Sequence, residues 1–323
     1  MAADSDATVS ALRSTLADET ASLALRFRAL FSLKHLASQA PPTPQTEPAI
    51  DAIAAAFTTP SDLLKHELAY CLGQTRNDYA VPHLRARLED RNESPICRHE
   101  AAEALGALGA CLDLLKERRD DINEVDVVKE TCEIAVDRME WAQREDPESV
   151  RKSDFASIDP APPLPKSEVE IEKLQQTLLD TKVPLFQRYR AMFSLRDLAS
   201  PPDLPTAVPA VHALAKGFAD PSALFRHEVA FVFGQLSHPA SIPSLTRTLE
   251  DTKEAGMVRH EAAEALGSMG DEDGVEDTLR RFLHDDEVVV RESVVVALDM
   301  AEYEKSGQTE YAFIPDTDVS VKA

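Results

Sequence analysis

The stretch CRHEAAEALGALG at residues 97–109 returns as VRHEAAEALGSMG at 258–270, with the letters HEAAEALG unchanged. Ala, Glu and Leu dominate both copies, which favours a helix. The repetition extends further. RFRALFSLKHLAS (26–38) matches RYRAMFSLRDLAS (188–200), and KHELAYCLGQ (65–74) matches RHEVAFVFGQ (226–235). The chain is therefore a duplication, and each half carries a shorter period: His66 to His99 is 33 residues, as is His227 to His260. Each unit reads as a first helix such as VPHLRARLED (81–90), a short turn, and a second helix such as ICRHEAAEALGALG (96–109). Pro60, Pro82, Pro95, Pro221 and Pro243 mark helix starts, where a fixed φ suits the first turn or the residue just outside it.

With Asp before the turn and Arg at the head of the second helix, the unit resembles the HEAT repeat. Four units fit in each half, with second helices near 27–37, 63–74, 96–108 and 126–140, then 188–199, 224–236, 258–269 and 288–302. The expected fold is all-α: a solenoid of eight HEAT-like helical hairpins in two pseudo-symmetric halves of four. Such hairpins must stack to bury their apolar faces, and the product is a curved arc with second helices lining its concave side. The expected organisation is an N-terminal arc at 1–143, a linker at 144–168, a C-terminal arc at 169–304 and a disordered tail at 305–323. The linker mixes charge with five prolines and carries no helical period, which reads as flexible, extended and exposed. Two hinged arcs of this kind would face one another across an open cleft.

Composition narrows the partners. Only 6 % of the 323 residues are aromatic, and there is no Gly-rich phosphate loop, which argues against a β sandwich or a nucleotide-binding α/β fold. A formal charge of −23 disfavours a nucleic-acid partner, which requires clustered Lys and Arg. It suits a basic partner, and equally a solubilising surface. The acidic N-terminus and the absence of a long apolar run point to a soluble chain without membrane contact, in the cytoplasm or nucleus. Cys71, Cys97 and Cys132 correspond to Val232, Val258 and Val294 in the second half, so these thiols read as small buried hydrophobes in a reducing compartment.

One slot breaks the repeat pattern. Through the eight units it holds Phe27, His66, His99, Lys129, Tyr189, His227, His260 and Arg291. Only the two central units of each half carry His. The other five histidines provide an internal control: His35 matches Asp197, His83 matches Ser244, His212 matches Asp51, His238 matches Asn77, and His284 falls near Ile122. None survives the duplication, whereas all four at the slot do. The adjacent Glu67, Glu100, Glu228 and Glu261 are weaker evidence, because Lys129-Glu130 and Arg291-Glu292 repeat that letter in other units.

Adjacent helical residues point about 100° apart, so His and Glu of one pair flank the concave face, and a neighbouring helix can complete a ligand set. Two His with one carboxylate and open positions suits non-haem Fe(II), and a doubled set suggests two irons. Zinc or manganese in a two-metal hydrolase is also compatible. Nucleophilic catalysis has less support, since no Ser or Cys is duplicated beside the pairs. A non-catalytic HEAT-type scaffold explains the repeats and the acidity, but not the His quartet.

The motifs LLKHELAYCLGQ, CRHEAAEALG, LFRHEVAFVFGQ and VRHEAAEALG, with HE at 66, 99, 227 and 260, resemble the deoxyhypusine hydroxylase family over nearly the whole chain. The resemblance implies a non-haem di-iron centre with two Fe2+ and O2 as co-substrate. It implies hydroxylation of a deoxyhypusine side chain in eukaryotic initiation factor 5A, by a chain expected to be a monomer. Carried over by motif, it implies His66, His99, Glu100, His227, His260 and Glu261 as iron ligands and Glu67 and Glu228 as substrate-binding carboxylates. Glu103 and Glu264 share a helical face with His99 and His260, four residues on, but the generic repeat also carries Glu there. A generic role is therefore the expectation for both.

Overall fold

The computed structural model describes residues 2–144, 155, 157–165 and 170–306. Among these, helices alternate between an outer and an inner layer, and there is no strand. The first half pairs α1 (Ala2–Ala17) with α2 (Leu23–Ala37), α3 (Thr46–Ala55) with α4 (Asp62–Gln74), α5 (Val81–Glu89) with α6 (Pro95–Leu108), and α7 (Leu112–Asp120) with α8 (Asp126–Ala142). The second pairs α9 (Ile171–Leu179) with α10 (Leu185–Leu198), α11 (Ala207–Ala215) with α12 (Ala223–Leu236), α13 (Ile242–Glu250) with α14 (Gly256–Gly267), and α15 (Val275–Arg280) with α16 (Val288–Ser306). These are the eight hairpins read from the sequence, and no described helix is long and apolar enough to cross a membrane.

A recurrent arginine ties each hairpin together. At the head of four inner helices, Arg26, Arg98, Arg188 and Arg259 donate to the carbonyls of Leu16, Leu88, Leu178 and Leu249, ten residues earlier at the end of the outer helix. The carbonyl would otherwise be one of the unsatisfied groups of a helix C-terminus. All four guanidiniums also reach forward, Arg26 to Thr59, Arg98 to Glu124, Arg188 to Asp220 and Arg259 to Asp285, so one buried cation fixes a hairpin and its successor. Ser22, Ser61, Ser94 and Ser222 cap the inner helices α2, α4, α6 and α12 with their side chains, which fixes where each begins.

The invariant Gly of HEAAEALG has a packing reason. A Cβ at Gly106 would lie 2.6 Å from that of Ala135, and one at Gly267 would lie 2.9 Å from that of Ala297. Neighbouring inner helices thus approach backbone to backbone, and the concave side is tight. Cys71, Cys97 and Cys132 are wholly buried among apolar side chains, and burial pushes the Cys132 thiol up to about 12. They act as the hydrophobes that their Val counterparts suggest.

The arcs do not stand apart across an open, hinged cleft, as the sequence suggested. They close into a ring at two seams. At one, α16 packs on α2 and α4; at the other, α8 packs on α10 and α12. Matching latches hold both: Ser61 Oγ donates to Glu292 (2.7 Å) and Ser222 Oγ to Glu130 (2.6 Å). The two serines are equivalent residues of the two halves, as are the two glutamates. Arg28 adds a bidentate ion pair to Asp299 at the α2–α16 seam.

The described part of the expected flexible linker is likewise pinned rather than exposed. Arg196 binds both carboxylate oxygens of Asp159 (2.7 and 2.8 Å), Arg190 donates to the Pro162 carbonyl, and Ile158 N–H donates to Gln74. Ala161 is fully buried. Prolines that forbid helix still present carbonyls, and Arg190 takes up those of Pro162 and Pro163. The rest of 145–169 and all of 307–323, most of the expected tail, lie outside the described residues.

The close approach at Gly106 is testable. Gly106→Val adds bulk against the Ala135 backbone and should cost roughly 1–3 kcal/mol of stability by overpacking. Urea unfolding that shows no loss would remove this account of the repeat glycine.

Candidate metal centre

The inner helices α4, α6, α12 and α14 aim one slot each at the centre of the ring. There His66, His99, His227 and His260 form a single cluster, with His99 and His260 wholly buried. Ring centroids are 5.3 Å apart for His66–His99 and 5.4 Å for His227–His260, the pairs within a half. They are as close across the halves: 5.3 Å for His66–His260 and for His99–His227, and 5.8 Å for His66–His227. Ring closure is what brings these rings together. The five control histidines lie elsewhere; His238, for example, accepts a hydrogen bond from the Ala240 N–H in a turn.

Carboxylates surround the imidazoles. Glu100 Oε2 lies 3.2 Å from His66 Nε2, and Glu67 Oε1 lies 3.3 Å from His66 Nδ1. In the second half, Glu261 Oε2 lies 3.3 Å from His227 Nε2 and Glu264 Oε1 lies 3.6 Å from His260 Nδ1. These approaches are close, but not aligned as hydrogen bonds. All eight nitrogens of the four rings are buried without a hydrogen-bond partner. Ligand atoms fall within 4.8 Å of one another in three groups: His66, His99, Glu100; His66, His227, His260; and His260, Glu261, Glu264.

A cavity of about 200 Å³ adjoins the cluster, lined by six carboxylates (Glu67, Glu100, Glu103, Glu228, Glu261 and Glu264) with Lys34 as the one lysine. Electrostatics follow from that crowding. Burial, then the charge of Glu103 and other carboxylates, holds Glu228 well above the ordinary carboxylate range. Glu264 is raised by burial and by Glu67, and Glu103 by burial and Glu100. Burial and the neighbouring imidazoles keep His99 and His260 well below their usual range. Burial alone would do the same to His66, but Glu100 and Glu67 outweigh it and raise that ring.

Unpartnered imidazole nitrogens beside mutually repelling carboxylates are the donor set that a divalent cation would satisfy. Each of the six expected ligands, His66, His99, Glu100, His227, His260 and Glu261, is buried and at or beside this cluster. Glu67 and Glu228 line the same cavity, and Glu228 Oε1 has no partner. Glu264, for which the sequence suggested a generic role, stands among the candidate ligand atoms, and its spacing of four from His260 was the available signal. Sequence reasoning did not find the cavity walls Phe31, Tyr70, Phe231 and Met300, which carry no chemical motif.

Relatives agree with this architecture. HEAT repeats match residues 50–137 and 208–299. The chain is 68% identical over 318 residues to the deoxyhypusine hydroxylase of Phaeosphaeria nodorum, covering 97% of each. It is 66% identical over 321 residues to that of Aspergillus clavatus, covering 98% of this chain and 96% of the relative. The structure of human deoxyhypusine hydroxylase in complex with glycerol superposes with a TM-score of 0.83 at 44% identity, over 94% of this chain and 98% of that one. By identity that runs through both halves and the ring between them, this HEAT-repeat chain belongs to the deoxyhypusine hydroxylase family of enzymes.

Proposed function

We propose that the chain hydroxylates the deoxyhypusine side chain of eukaryotic initiation factor 5A at a pair of iron ions held where the arcs at 1–143 and 169–304 meet. The observation that carries this reading is the set of eight buried, unpartnered imidazole nitrogens in one cluster. In it, His66, His99, Glu100, His227, His260 and Glu261 would hold the two metals between them. The iron pair, when bound, would supply the activation of O2 needed to place one oxygen atom on a C–H bond.

The protein's own part is binding, orientation and exclusion of water. Deoxyhypusine carries a secondary and a primary amine, both cationic near neutral pH. Glu67 and Glu228 face the same cavity, and carboxylates left free of metal would bind such amines through charge-assisted hydrogen bonds. An arriving ammonium would also offset the carboxylate repulsion that adds to burial in raising Glu228. Phe31, Tyr70, Phe231 and Met300 give the methylene chain an apolar wall. The net charge of −23 would favour encounter with a basic protein surface around the modified lysine.

Two measurements test the assignment. His99→Ala should lose most of the iron retained by the purified protein and abolish hydroxylation; unchanged iron content would remove His99 from the ligand set. The wild type should stop turning over under argon, whereas a two-metal hydrolase would continue.

Glu228→Gln should keep its iron but bind the deoxyhypusine-bearing factor about 10- to 100-fold more weakly, the loss of one hydrogen bond to a charged group. Titration calorimetry that finds equal affinity would take Glu228 out of substrate binding.

A further inference from the structure

The sequence duplication predicts two equivalent ways into the cluster, one at each seam, but the seams differ. At the α2–α16 seam, Phe27, Phe31, Val296 and Met300 border the cavity of about 200 Å³. Their counterparts at the α8–α10 seam are Tyr189, Phe193, Ile134 and Arg138. Phe31 is partly exposed where Phe193 is fully buried, whereas Phe27 and Val296 are as buried as their counterparts Tyr189 and Ile134. The space left beside Glu103 on this side, between Ile134, Arg138 and Pro160, is about 10 Å³.

The segment 157–165 makes the difference. Pro160 and Ala161 fill the α8–α10 side, and Arg138 Nε donates to the Asp159 carbonyl. Arg190, the counterpart of Arg28, donates to the carbonyls of Pro162 and Pro163, whereas Arg28 pairs with Asp299. Arg196 is fully buried and neutralised by Asp159. Its counterpart Lys34 stands at the cavity instead, over the rings of Phe31 (5.3 Å) and Tyr70 (5.5 Å), with no ion-pair partner among the described residues. Lys34 and Tyr70 stand between this cavity and a surface groove near Gln74 and Ser157, since both side chains line each of them.

We propose that the cluster has one entrance: the deoxyhypusine side chain reaches it through the α2–α16 seam, and 157–165 plugs the duplicate entrance at α8–α10. The proposal rests on the hydroxylase reading above. The ligand's chemistry fits the open side, where an apolar wall for the methylene arm precedes the carboxylates at depth. It does not fit the closed side, where Pro160, Ala161 and the Arg138 side chain occupy the space. A duplicated fold thus serves a single substrate arm, and Phe31 and Met300 set the shape of its passage.

The test copies the closed seam onto the open one. Met300→Arg and, independently, Phe31→Trp should keep their iron and their unfolding temperature near wild type. Titrated iron-loaded under argon, each should bind the deoxyhypusine-bearing factor at least tenfold more weakly, and in air each should lose turnover in proportion. Arg138→Met, at the plugged seam, should leave affinity and turnover within about twofold. Folded, iron-loaded entrance variants with wild-type affinity would overturn the single entrance, as would an equal loss in Arg138→Met. A wild type that binds with this same pattern but forms no hydroxylated product would sink the oxygen chemistry and leave the entrance standing. A wild type that does not bind the factor would sink both.

Discussion

Four imidazoles and six carboxylates meet in one buried space that a single lysine faces, and the rest of the fold exists under that constraint. Buried polar atoms without partners are costly, and buried like charges more so. A free-standing arc could relax by letting its side chains swing to water. A ring closed at both seams cannot. The arginines that tie each outer helix end to the next unit, and the backbone contacts at Gly106 and Gly267, make the ring stiff enough to hold the donors together.

Stiffness and closure do different work. Within one half, the repeat geometry alone sets His66 beside His99 and Glu100. Across halves, it is the Ser61–Glu292 and Ser222–Glu130 latches, with Arg28–Asp299, that hold His66 against His227 and His260. Each serine also caps its own inner helix. One hydroxyl therefore fixes where the helix carrying a cluster histidine begins and which helix of the other half lies beside it.

The hairpins were legible because local signals agree: apolar periodicity, proline starts and a regular recurrence of sequence. The cluster was legible because His occupies one slot in the four central units and nowhere else survives duplication. Ring closure was not legible. It depends on single letters 92 and 231 residues apart, and Ser and Glu at such positions look like any cap and any exposed carboxylate. The segment at 157–165 misled for a related reason. Its composition describes an unpaired chain, whereas its carbonyls and Asp159 are taken up by Arg138, Arg190 and Arg196, residues that by themselves looked like ordinary repeat arginines. Glu264 was discounted because one letter served two explanations, and its nearness to His260 could not be read from spacing alone.

Duplication brings symmetry, and the departures from it distinguish one seam from the other. The cluster keeps its twofold pairs, His66 with His227 and His99 with His260, because two similar donor sets need similar residues. The seams do not. Phe27 becomes Tyr189, Lys34 becomes Arg196 and Met300 becomes Arg138, and every one of these changes lies on the side that 157–165 covers. A segment that merely joined two arcs would need no such partners. Residues matched to it on both α8 and α10 imply that covering this seam is its role, and a site built from two equal halves thereby acquires a front and a back.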